Sequence, residues 1–187
     1  MRYVALFDAC VLYPAALRDF LLRLSLTGLF AAKWTHQIQH EWSSSLLKTR
    51  PELSERIPKT ISLMNEAVDD ALVTDYESLI ESLVLPDQGD RHVLAAAIKC
   101  GAQAIVTFNL NDFPASTLSV YGLEAIHPDV FIENQFDLDA ALVVEAAKSA
   151  RASLRNPPKA AEEYIEILAN QGLVMTADRL GGFARLI

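Results

Sequence analysis

Two short apolar segments that end on polar side chains constrain the fold of this chain most strongly. Tyr3–Phe7 is followed directly by Asp8, and Ala104–Thr107 is followed by Asn109 and Asp112. Uninterrupted apolar runs of this length are typical of strands that are buried on both faces, as in a parallel sheet. The two segments therefore predict parallel strands that carry acidic side chains to their carboxyl ends.

Segments with helical spacing lie between these strands and around them. The predicted helices cover residues 19–28, 35–48 with Thr35 as N-cap, 51–68 after Pro51, the stretch from Asp87 to Gly101, and a stretch from Asp129. Two further strands are predicted at Ala71–Thr74 and Leu123–Ile126. Strands that alternate with helices predict an α/β fold with a small parallel sheet flanked by helices.

The last quarter of the chain shows no further strand pattern. Helices are predicted at about 138–155, 159–170 and 177–185, and Asn156-Pro157-Pro158 separates the first two. The sequence thus predicts one α/β domain over residues 1–135 and a helical C-terminal extension over residues 136–187.

Composition limits the class of protein and its compartment. With 51% apolar and 21% charged residues among 187, the chain is outside the range of disordered proteins. Its apolar start is too short for a signal peptide, and charges at Arg18, Asp19 and Arg23 argue against a membrane span. A cytoplasmic protein is expected, with Cys10 and Cys100 as free thiols.

Four acidic residues on four separate segments suggest a metal site. Asp8 and Asp112 follow strands, Asp90 opens a helix and Glu41 lies within one. Ligands bind beyond the carboxyl ends of parallel strands, and carboxylates brought together there repel one another unless a cation lies between them. The expected cofactor is Mg²⁺ or Mn²⁺, which take oxygen ligands.

The formal net charge of −8 is unfavourable for binding the phosphate backbone of a nucleic acid. Carboxylates that hold a metal contribute to this count, and the bound ion would reverse the local sign. The charge therefore weakens the case for a nucleic-acid enzyme without excluding one.

Four motifs in order resemble those of PIN-domain nucleases, including VapC-type toxins. They are Phe7–Leu12, Gln39–Trp42, Pro86–Ala97 and Val106–Phe113, and the resemblance covers roughly residues 2–130. It implies a ribonuclease that hydrolyses RNA with a metal ion, and toxins of this kind are held by an antitoxin protein. An antitoxin and a second copy of the chain are therefore candidate partners besides RNA.

The resemblance also assigns roles to single residues. It implies that Asp8, Glu41, Asp90 and Asp112 are the catalytic and metal-binding positions, with Thr107 and Asn109 as polar neighbours. Cys10 stands where many members of the family have Asn or Ser, which donate a hydrogen bond to the first aspartate better than a thiol does.

Several of these residues also have ordinary structural interpretations. Asp87 and Asp90 have the spacing of a capping box, so Asp87 is expected to accept a hydrogen bond from the Asp90 amide while Asp90 points into the site. His92 is expected to be a partly buried structural histidine.

A set of basic residues in the predicted 138–155 helix has two interpretations as well. Lys148, Arg151 and Arg155 are spaced to share one helix face, which suggests a substrate-binding strip for RNA. The alternative, which we favour, is that basic residues near a helix C-terminus complement the helix dipole.

Two other functions compete with the ribonuclease. A phosphatase of the haloacid-dehalogenase type needs a second aspartate two residues after the first, where this chain has Cys10. A catalytically inactive module that binds RNA or a partner protein would keep the fold without the reaction. Metal-dependent cleavage of RNA by the pure protein would distinguish the ribonuclease from this inactive module.

Overall fold

A computed structural model describes residues 2–187 of the chain. Its strands are β1 (Tyr3–Phe7), β2 (Phe30–Lys33), β3 (Ala104–Val106) and β4 (Glu124–Ile126). Its helices are α1 (Ala9–Leu12), α2 (Ala15–Leu26), α3 (His36–Thr49), α4 (Ile57–Ala67), α5 (Glu77–Ile80), α6 (Arg91–Lys99), α7 (Ala115–Leu118), α8 (Pro128–Ser153), α9 (Ala161–Asn170) and α10 (Val174–Gly181). Short 3-10 turns lie at Pro51–Leu53, Gln88–Asp90, Leu110–Asp112 and Ser119–Tyr121.

The four strands form one parallel sheet in the order β2-β1-β3-β4, which confirms the α/β fold. β2 lies on one side of β1 in the sheet, and β3 and β4 lie on the other side. The sheet therefore reverses its order between β1 and β3, and in parallel sheets ligands bind outside the carboxyl ends of such strands.

Strand β2 was not predicted, because Phe30–Lys33 contains two alanines and follows a helical pattern directly. It forms a strand because it pairs with β1, with Tyr3 opposite Phe30 and Leu6 opposite Lys33. The prediction at Ala71–Thr74 was wrong in extent, since only Leu72 forms a bridge, to Trp34. Asp70 and Asp75 adopt positive φ on either side and turn the chain away.

The described residues divide into two compact units. The first contains the chain up to Tyr13 together with Phe30–His127, and so holds the whole sheet. The second contains Pro14–Leu29 and Pro128–Ile187 and is entirely helical. The boundary near residue 135 stays a prediction about which segments fold independently.

The helical unit is held together by its own contacts. Helix α8 packs against α2 and α10, and α9 packs against α10. The buried carboxylate of Asp129 accepts hydrogen bonds from the amides of Met175 and Thr176 at 2.9 and 2.8 Å. It thereby satisfies amide groups in the first turn of α10, which have no partner within that helix.

The bounds predicted for three helices in this part of the chain, 138–155, 159–170 and 177–185, were inaccurate. α8 runs from Pro128 with one non-helical residue, Asp139, whose side chain accepts from the amides of Ala141 and Leu142 and caps the helix that follows. α9 begins at Ala161, and α10 spans Val174–Gly181 rather than 177–185. None of the helices between residues 2 and 187 combines the length and apolar character that a bilayer crossing requires.

Candidate active site

Asp8 lies at the carboxyl end of β1, where the sheet reverses its order. Its amide donates to the Val106 carbonyl at 3.1 Å, so the pairing with β3 continues one residue beyond the strand. The residue is 6% exposed, and its Oδ1 accepts from the Ala9 amide at 2.6 Å as the N-cap of α1. Such a donor offsets part of the cost of burying a carboxyl group.

The second oxygen of Asp8 is held by two side chains. The Thr107 hydroxyl, which is fully buried at the end of β3, donates to Asp8 Oδ2 at 2.7 Å, and the Cys10 thiol donates to the same oxygen at 3.2 Å. Burial, followed by the charge of Asp8, raises the pKa of Cys10 to about 12. The thiol is therefore protonated at neutral pH, which lets it donate and makes it a poor nucleophile.

A close contact between the side chains of Glu41 and His92 joins α3 and α6. The prediction of helix α3 is confirmed: Thr35 accepts from the Ile38 amide as its N-cap, and Glu41 lies in its second turn. Glu41 Oε1 is 2.9 Å from His92 Nε2, and the Gln37 side chain donates to the same oxygen at 3.2 Å. His92 is 3% exposed, so it is more deeply buried than predicted and is bonded to a predicted site residue.

Asp90 has a perturbed carboxyl group at the start of α6. Burial, followed by the negative charges of Asp8, Asp87 and Asp112, raises its pKa to about 6, while His92 opposes the shift. Asp90 stands at the N-cap position of α6, but its side chain makes no capping hydrogen bond there. Asp87 is the cap of the preceding 3-10 turn, but it accepts from the Gly89 amide at 2.7 Å rather than from Asp90, which corrects that prediction. Residues 88–90 form a 3-10 turn rather than an α-helical turn, and this geometry brings the Gly89 amide, not the Asp90 amide, to the Asp87 carboxylate.

An open cleft of about 240 Å³ brings three of the four predicted carboxylates together. Asp8, Glu41 and Asp90 line it, with Asn109 beside them, and the other lining residues are Ala9, Cys10, Tyr13, Trp42 and Ser45. Asp112 does not line this cleft within the described part of the chain, although its charge acts on Asp90. Its amide bonds to the Asn109 carbonyl in a 3-10 turn after β3.

The carboxylates of the cleft do not form a closed set of ligands. Among residues 2–187, no three acidic, histidine or cysteine side chains are gathered as a ready site for a metal ion. Glu41 is engaged by His92, and Asp8 by Thr107 and Cys10. The cleft therefore presents oxygen donors from three elements around an open space.

The three basic residues considered as a possible RNA-binding strip do not all lie on one helix face. α8 ends at Ser153, so Arg155 lies beyond it and forms an isolated bridge with Pro158. The Arg151 guanidinium donates to the Lys159 carbonyl at 2.7 Å, whereas Lys148 is exposed. The helix stops early because the chain turns into the Asn156-Pro157-Pro158 segment, where prolines lack the amide that a helix needs.

The sequence interpretation missed some residues that line the cleft. Ser45 is four residues after Glu41 on α3, so helical spacing alone would have placed it on the same face. Tyr13 follows α1, and no local pattern indicates its position in the cleft wall. The pairing of His92 with Glu41 joins two helices far apart in sequence and has no sequence signal.

Comparison with known proteins is consistent with this arrangement. A family model described as PIN domain matches residues 4–111, and a second, described as VapC50 C-terminal domain, matches residues 128–182. A Mycobacterium tuberculosis protein named "Putative ribonuclease VapC50" is 53% identical over 49 residues, which are 26% of this chain and 29% of that protein. The match thus spans under a third of that relative's length. No solved structure gives a significant match.

Proposed function

Because the chain belongs to the PIN-domain family, we propose that it is a ribonuclease that hydrolyses RNA phosphodiester bonds with Mg²⁺ or Mn²⁺. The observation that carries the proposal is the cleft at the reversal point of the sheet, into which β1, α3 and the start of α6 bring Asp8, Glu41 and Asp90. The 49-residue match to a protein named as a ribonuclease supports the same reaction.

The donor chemistry of the cleft fits a hard divalent cation. Its charged donors are carboxylate oxygens, and Asn109 adds an amide, which are ligands that Mg²⁺ and Mn²⁺ accept. The raised pKa of Asp90 reflects in part the uncompensated charge of neighbouring carboxylates. We propose Asp8, Glu41 and Asp90 as direct ligands and Asp112 as a nearby negative charge.

In this mechanism the chain's own residues bind the metal ion and hold its ligands in place. Thr107 and Cys10 hold Asp8 in one rotamer, and His92 with Gln37 holds Glu41. Cys10 is a poor candidate for a nucleophile, since its thiol is protonated at neutral pH. When bound, the metal ion would lower the pKa of a water molecule and neutralise charge on the phosphate.

The biological role that we propose is the toxin of a toxin–antitoxin pair, acting in the cytoplasm on RNA. The match of residues 128–182 to the VapC50 C-terminal domain supports a VapC-like chain beyond the PIN domain itself. Induced expression should arrest growth, Asp8→Asn should not, and co-expression of a cognate antitoxin should relieve the arrest.

Cleavage of a structured RNA by the purified protein tests the activity. We expect cleavage with Mn²⁺ or Mg²⁺, none with excess chelator, and a loss of at least about a hundredfold for Asp8→Asn, about 2.7 kcal/mol of barrier. Glu55→Gln, a change of an exposed carboxylate outside the cleft, is the matched control and should keep full activity. Cleavage that persists in chelator and in Asp8→Asn would exclude the proposed site. Metal-dependent RNA binding without cleavage would favour the inactive binding module instead.

A further inference from the structure

We propose that His92 is a positioning residue that orients Glu41 as a metal ligand, an inference that rests on the proposed function. The imidazole binds one oxygen of Glu41, and the other oxygen is left for the cleft. This gives a role in the site to a histidine that sequence analysis treats as structural.

The contacts of Glu41 divide its two oxygens. Oε1 accepts from both His92 Nε2 at 2.9 Å and Gln37 Nε2 at 3.2 Å. Oε2 makes no hydrogen bond to any residue of the described chain, and Glu41 lines the cleft with about a third of its side chain exposed. Oε1 is thus held by two hydrogen bonds, while Oε2 stays available to bind a metal ion.

The surroundings of His92 fix which ring nitrogen carries the proton. Nδ1 is buried and has no hydrogen-bond partner among residues 2–187. A proton on Nδ1 would leave a buried donor unpaired and would set the Nε2 lone pair against the carboxylate. A proton on Nε2 pairs this nitrogen with the carboxylate, so Nε2 is the donor to Glu41.

The burial of His92 fixes one end of this contact, whereas the Glu41 side chain is about a third exposed. The His92 side chain is 4% exposed and sits in α6, whose next residues Val93 and Leu94 are fully buried. The core fixes the His92 ring, and the ring in turn constrains the longer Glu41 side chain. The bond also connects α3 to the helix that begins beside Asp90.

Calorimetric titration of the full-length protein with Mn²⁺ tests the role without relying on cleavage. We expect His92→Leu, which keeps the bulk but removes the donor, to weaken Mn²⁺ binding by about tenfold to a hundredfold. His92→Gln places an amide nitrogen near the position of Nε2 and should restore most of the affinity. His40→Gln, a change of an exposed histidine one residue before Glu41, is the matched control and should bind as wild type.

The Glu41→Ala variant tests whether His92 acts through Glu41. In Glu41→Ala the orientation of that side chain no longer matters, so adding His92→Leu should change Mn²⁺ affinity less than about twofold. Nitrogen-15 NMR of the metal-free wild type at fixed neutral pH should show His92 protonated on Nε2. This spectrum keeps the inference testable if His92→Leu fails to fold.

The outcomes distinguish this inference from the proposed function. Unchanged Mn²⁺ affinity in folded His92→Leu, an equal loss in the Glu41→Ala background, or a ring with no proton on Nε2 would overturn the positioning role, whatever the RNA assay shows. The expected binding pattern in a protein that does not cut RNA would support the role of His92 and reject the ribonuclease. A wild type that binds no Mn²⁺ would overturn both.

Discussion

Replacing Asp90 by asparagine should stabilise the metal-free protein, and only above the pH at which Asp90 ionises. Its pKa is about 6 in the folded chain against 3.8 for the free group, because of burial and the charges of Asp8, Asp87 and Asp112. The folded protein therefore holds the Asp90 proton more tightly than the unfolded chain does. Ionised Asp90 lowers the free energy of unfolding as pH rises from about 4 through 6, and the whole penalty is present above that range.

The size of the effect follows from that difference. Unscreened, the interval between 3.8 and about 6 corresponds to about 3 kcal/mol. Asp90 is partly exposed, and solvent screening reduces this to about 1–1.5 kcal/mol. For a chain of this length we expect Asp90→Asn to raise Tm by about 2–5 °C at pH 8 and by less than about 1 °C at pH 4.

Thermal melts in chelator between pH 4 and 8 measure this directly, with Glu55→Gln as the control for removing one exposed negative charge. A parallel series with Mn²⁺ should show less metal-induced stabilisation for Asp90→Asn than for wild type, because a ligand has been lost. Equal Tm for Asp90→Asn and wild type at pH 8, or a gain at pH 4 as large as that at pH 8, would refute the electrostatic reasoning. Full metal-induced stabilisation of the variant would refute Asp90 as a ligand.

Three further predictions follow from single contacts. Cys10→Ser should keep or increase cleavage, since a hydroxyl donates to Asp8 at least as well as the thiol; a loss above about a hundredfold would assign the sulfur a chemical role. Asp87→Ala should lower the free energy of unfolding by about 0.5–1 kcal/mol in urea melts yet leave cleavage measurable, and abolished metal-induced stabilisation would instead make Asp87 a ligand. The double variant Lys148→Ala, Arg155→Ala should change RNA affinity less than about threefold with the same salt dependence, because the two side chains form no common strip; a flattened salt dependence would place them in the substrate surface.

The elements that the sequence by itself determined are those with a local cause. β1 ends at Phe7 before Asp8 because an apolar run there gives way to a charge, and α3 begins after Thr35 because a threonine hydroxyl caps it. Parallel strands must present their carboxyl ends on the same edge, so the presence of Asp8 beside the end of β3 was also predictable.

Only the tertiary structure decided the features that depend on contacts between distant segments. β2 becomes a strand through its pairing with β1, against the helical tendency of its alanines. Glu41 gains a fixed orientation from His92, which a different helix supplies, and Asp112 is carried out of the cleft wall by the turn after β3. A sequence pattern records which side chains a segment carries and on which face, whereas the distance between two such faces is set by how helices and strands pack, and the chemistry of this cleft depends on that distance.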